Sequence, residues 1–140
     1  IRWCLAADVT PYLLIILFAP TATVDDLRLN YERLSEWQRM GATVSIEPHM
    51  MCYRGSPLWD SAHEMEYDVT PLAGSPSGRE SLRNPVRILP DDPAARDIAN
   101  RFKAEWPAFL AAAKITHQFK GSTGAWMMRL LGKLLEEAKE

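Results

Sequence analysis

The sequence predicts an α/β fold built on a pair of parallel strands, followed by a helical C-terminal extension. Three observations lead there. Leu13-Leu14-Ile15-Ile16-Leu17-Phe18 is an apolar run without alternation, as expected of a strand buried on both faces. Residues 24–40 carry Val24, Leu27, Tyr31, Leu34 and Trp37 at helical spacing. Ala42-Thr43-Val44-Ser45-Ile46 then returns to β-branched character. Strand, helix and strand in this order make a βαβ unit, whose strands run parallel through a right-handed crossover. A (β/α) barrel and a doubly wound sheet both suit such a unit.

The elements follow in order. Residues 1–9 read as the end of a helix, broken at Thr10 and Pro11 because proline cannot continue the ladder. Pro20 ends the first strand. Thr23 with Asp26 resembles a capping box, and Asp25 and Asp26 suit the positive end of a helix dipole. Gly41 is a natural stop for that helix. Residues 66–92 hold Pro71, Pro76, Pro85 and Pro90 with Gly74 and Gly78, and read as an irregular connection. Asp92 and Pro93 suit the cap and first turn of a further helix. Ile98, Phe102, Trp106, Phe109, Leu110 and Ala113 give that helix its apolar side, with Pro107 expected to bend it. Gly121 to Gly124 is expected to be a loop before a last helix at 125–139, whose apolar residues are Trp126, Met127, Leu130, Leu131, Leu134 and Leu135.

Composition bounds the function. The 140 residues are 47% apolar and 24% charged, which is the composition of a globular domain. A net charge of −2, from 16 basic and 18 acidic side chains, supplies no field for nucleic acid or an anionic membrane. The apolar stretch from Tyr12 to Pro20 falls well short of the ~20 residues that span a bilayer. Two cysteines, Cys4 and Cys52, make no disulfide framework and point to a reducing, cytoplasmic setting. The chain opens on Ile1, and Ile-Arg-Trp-Cys-Leu-Ala-Ala reads as the middle of an amphipathic helix. Two strands alone do not make a stable sheet. Both features lead us to expect a fragment, natural or trimmed, with further strands supplied by sequence upstream.

Chemistry is expected beyond the carboxyl ends of the strands, where α/β folds bind ligands. The first such end, Phe18-Ala19-Pro20-Thr21-Ala22-Thr23, leads into a helix N-terminus. On spacing alone it reads better as an ordinary βα loop with threonine caps. The second, Glu47-Pro48-His49-Met50-Met51-Cys52-Tyr53-Arg54, gathers an acid, an imidazole, thioethers, a thiol, a phenol and a guanidinium. Glu47 or His49 could move protons there and Arg54 could hold a carboxylate. The alternative is that His49 and Arg54 satisfy backbone carbonyls while the methionines fill core. Because parallel strands share one rim, Phe18 and Pro20 are expected to face the same mouth as Met51 and Tyr53, with Thr21 and Thr23 offering polar contacts. His49 shares the parity of Met51 and Tyr53 and is the ionisable candidate, whereas Glu47 is expected to lie deeper. Cys4, Cys52, His49, His63 and His117 lack the spacings that zinc sites prefer.

The segment Leu14-Ile15-Ile16-Leu17-Phe18-Ala19-Pro20-Thr21-Ala22-Thr23-Val24-Asp25-Asp26-Leu27 resembles the "I-x-F-x-P-x-(S/T)-T-x-E-x-L" segment late in the barrel of radical S-adenosylmethionine enzymes, especially the cobalamin-binding subfamily. Tyr53-Arg54-Gly55-Ser56-Pro57-Leu58-Trp59 resembles the "Y-x-G-T-P-L-Y" segment that ends the sixth strand of that barrel. Ser56 stands for the common threonine and Asp25 for the usual glutamate. The resemblance covers residues 1–65 and implies the C-terminal part of a partial (β/α) barrel, then the connection at 66–92 and a helical extension at 93–140. It implies a parent enzyme that cleaves S-adenosylmethionine reductively with a [4Fe–4S] cluster, acts on a small-molecule substrate and leaves cobalamin as an open second cofactor. Phe18, Pro20, Thr21 and Thr23 would line the adenosine, and a strand over 43–53 carrying Met51 and Tyr53 would close the barrel beside it. The C-x-x-x-C-x-x-C loop of the family has no counterpart in a chain with two cysteines, so the isolated chain is expected to be inactive and to need a missing N-terminal barrel half. Two other readings stay open: another (β/α) enzyme with a His49 or Glu47 acid–base site, and a non-catalytic interaction domain with a helical tail.

Overall fold

A computed structural model describes residues 1–47, 50–52, 56–64, 69–71, 86–115 and 122–138. The first unit is α1 (Arg2–Ala6), β1 (Tyr12–Ile16), α2 (Val24–Arg39) and β2 (Thr43–Glu47). The expected βαβ element is present. β1 and β2 pair in parallel, with Tyr12 opposite Thr43, Leu14 opposite Ser45 and Ile16 opposite Glu47.

Local chemistry fixes the ends of α2. The Thr23 hydroxyl accepts from the Asp26 N–H at 3.2 Å, and the Thr23 N–H donates to the Asp26 carboxylate at 3.0 Å. Aspartate thus completes the box that glutamate usually fills, and such a cap contributes about 1 kcal/mol. The Thr23 N–H, and after it the Thr23 hydroxyl, which donates to the same carboxylate at 2.7 Å, hold the Asp26 carboxyl below its ordinary range. At the other end Gly41 has φ +103°, a left-handed conformation that a side chain would strain.

The chain beyond Glu47 departs from the expectation of one strand over 43–53. β2 stops at Glu47, and a new strand, β3 (Met50–Cys52), joins a separate antiparallel sheet. α3 (Pro57–Glu64) follows. Pro57 opens it, and the Ser56 hydroxyl accepts from the Trp59 N–H at 3.2 Å. The span expected to be irregular, 66–92, contributes β4 (Val69–Pro71) and β5 (Val86–Ile88), in the order β3-β5-β4. Three-residue strands between prolines leave too short a pattern to read from sequence.

α4 (Pro93–Ile115) and α5 (Ser122–Glu137) make the extension. Asp92 caps α4, accepting from the Ala95 N–H at 2.8 Å. α4 runs through Pro107. α5 begins earlier than expected and takes Gly124 into the helix. Gly124 is a contact glycine: a Cβ there would lie 1.6 Å from the Val44 carbonyl oxygen. Absence of a side chain lets α5 touch the backbone of β2.

The extension and the βαβ unit share one core. Leu27 and Leu34 of α2, Val44 and Ile46 of β2, Ile98 and Phe102 of α4, and Leu131 and Leu134 of α5 are all buried in it. Arg101 and Glu105 of α4 meet Lys133 and Glu137 of α5 in an exposed ion network, with Lys133 to Glu105 at 3.1 Å and Arg101 bonded to Glu137. The bond to Arg101 is the main reason the Glu137 carboxyl sits below its ordinary range. Among the described residues no helix is long and apolar enough to cross a membrane.

Candidate functional site

The loop after β1 is folded under α4. Phe18 is buried, with its ring 5.7 Å from that of Phe102, which stacks in turn on Trp106 at 6.1 Å. Pro20 is buried as well, and its carbonyl accepts from the Asp91 N–H at 2.8 Å. The Arg96 Nε donates to the Pro90 carbonyl at 2.8 Å and pins the same crossing. Phe18 and Pro20 therefore serve the core beneath the loop. Thr21 is exposed, and Thr23 is committed to the α2 cap.

Met51 lies in β3 and so belongs to a different sheet from β1. His49, Tyr53 and Arg54 lie outside the described residues. The structure thus does not gather the expected residues at one described rim. The parity count to Met51 assumed a continuous strand, whereas β2 spans Thr43–Glu47 and Met51 pairs in β3 with β5.

The parallel pair has two unlike faces. Leu13, Ile15, Val44 and Ile46 point into the helix-covered core. On the opposite face Tyr12, Leu14 and Ile16 are 66%, 61% and 51% exposed. Register places Thr43, Ser45 and Glu47 on that same face, because directly opposed residues share a side. The row therefore has an apolar half on β1 and a polar half on β2, ending at Glu47 on the carboxyl rim. Partial burial pushes the Glu47 carboxyl above its ordinary range.

The pair also has two unlike edges. The Thr43 N–H donates to the Pro11 carbonyl at 2.9 Å. Alternation then turns the peptide groups of Leu13 and Ile15 toward β2 and those of Tyr12, Leu14 and Ile16 outward. No described residue bonds to that outer edge. The outer edge of β2 is closed by α5, where Gly124 meets the Val44 carbonyl and the Met127 Sδ accepts from the Ile46 N–H at 3.3 Å.

Sequence reading missed the exposed face, which no described helix covers, because an unbroken apolar run was taken as a strand covered on both sides. The available signal lay in the second strand, where Thr43, Ser45 and Glu47 alternate with Val44 and Ile46. As for cofactors, Cys4 is exposed on α1 and Cys52 is buried with its Sγ 3.6 Å from the Ser56 Oγ. Among the described residues no three His, Cys, Asp or Glu side chains converge as metal ligands. The described donor set therefore does not fit an iron–sulfur cluster. No family model, no curated protein and no solved structure matches this chain.

Proposed function

We propose that the chain is a portion of a radical S-adenosylmethionine enzyme and supplies the last two strands of its partial (β/α) barrel, on the side of the cofactor's adenosine and the substrate. The parent reaction is reductive cleavage of S-adenosylmethionine to begin radical chemistry, in a reducing, cytoplasmic setting. The cluster would be held by a missing N-terminal barrel half. Two segments support the reading by resemblance, Leu14 to Leu27 and Tyr53 to Trp59. The observation that carries it is the lopsided parallel pair: apolar and uncovered along β1, closed along β2. A parallel sheet covered on one face and open at one edge is incomplete by the rule that such sheets are buried.

In this reading the exposed face is the barrel interior. Tyr12, Leu14 and Ile16 exclude water there, and Thr43, Ser45 and Glu47 orient polar groups of a ligand. Thr21 is the exposed polar group of the adenosine-side loop, shaped from beneath by Phe18 and Pro20, with Thr23 holding the helix. His49, Met51 and Tyr53 remain proposed contacts beyond β2. The test is made on the full-length protein. Anaerobically purified enzyme with a low-potential reductant should release 5′-deoxyadenosine from S-adenosylmethionine. A full-length protein without a C-x-x-x-C-x-x-C loop would overturn the proposal.

One observation favours a second reading, in which the parent is a (β/α) enzyme using acid–base chemistry. Glu47 sits on the carboxyl rim with a raised proton affinity, as general acids and bases do. A full-length enzyme lacking the cysteine loop and inactivated by Glu47→Gln would support it.

A further inference from the structure

We draw no further inference here: the strongest candidate, the exposed apolar patch that Tyr12, Leu14 and Ile16 form along the face and outer edge of β1, belongs to the site already described, and nothing in the structure shows what covers it.

Discussion

The two edges of the parallel pair are handled in opposite ways. Along β2 a helix lies against the strand: Gly124 meets a carbonyl and the Met127 thioether takes an N–H. Along β1 the outward peptide groups of Tyr12, Leu14 and Ile16 have no described partner, and their side chains are the most exposed apolar residues of the sheet. Proteins blunt free edges with charge, proline or a covering element. β2 carries such a cover, whereas β1 carries five apolar residues and no charge. The difference teaches that, among the described residues, one edge of the pair is covered and the other is not; a further strand along β1 belongs to the proposed reading.

The largest effect should come from breaking the closed edge. Gly124→Val places a side chain against the backbone of β2 and should cost about 3 kcal/mol or more in urea unfolding, a severe overpacking. Loss of the neighbouring core residue in Leu131→Ala should cost about 2–5 kcal/mol by the same assay. The open edge should respond differently. Leu14→Lys should change monomer stability by no more than about 0.5 kcal/mol. It should, however, suppress the concentration-dependent association that sedimentation is expected to detect in the parent chain. If Leu14→Lys unfolds the chain, or if the parent chain sediments as a concentration-independent monomer, the edges are not unlike in the way described.

Glu47 sharpens the comparison at the rim. Its carboxyl is raised by burial, so the folded state binds the proton more tightly than the unfolded state. Stability therefore falls as pH rises through the window from the ordinary glutamate range to the raised value. Glu47→Gln should remove that fall and stabilise the chain at neutral pH, read as a higher melting temperature there. The smallest effect belongs to the α4–α5 ion network. Glu137 is depressed, chiefly by its bond to Arg101, so its contribution is present above the ordinary carboxylate range and is lost as pH falls through the depressed value. Exposed pairs of this kind are screened by salt. Glu137→Gln should flatten the acid limb of a melting-temperature profile slightly, and added salt should do the same.

Much of the fold was legible because local signals were strong. The Thr23–Asp26 cap, the Gly41 stop and the Asp92–Pro93 start each rest on a few residues, and each stands where the sequence places it. The failures share a cause, which is tertiary context. Gly124 has the look of a loop residue and is a close-packing residue, a distinction set by Val44 some eighty positions away. Phe18 and Pro20 follow the strand's parity on paper, but the chain has left the strand: Phe18 packs on Phe102 of α4, and Pro20 is buried with its carbonyl bonded to the Asp91 N–H. The strand at 43–47 was expected to run on, and the turn to an antiparallel sheet depends on pairing with β5, far along the chain. For the site, the apolar run concealed which face was bare, and only the polar residues of β2 recorded it.

Residue-resolved amide exchange on the dilute monomer tests the central claim most directly. The outward N–H groups of Tyr12, Leu14 and Ile16 should exchange rapidly. Those of Leu13 and Ile15, bonded to β2, and that of Ile46, bonded to Met127, should be protected to a degree approaching global unfolding. Equal protection of Tyr12, Leu14 and Ile16 in the monomer would mean that the β1 edge is already closed, and would contradict the account.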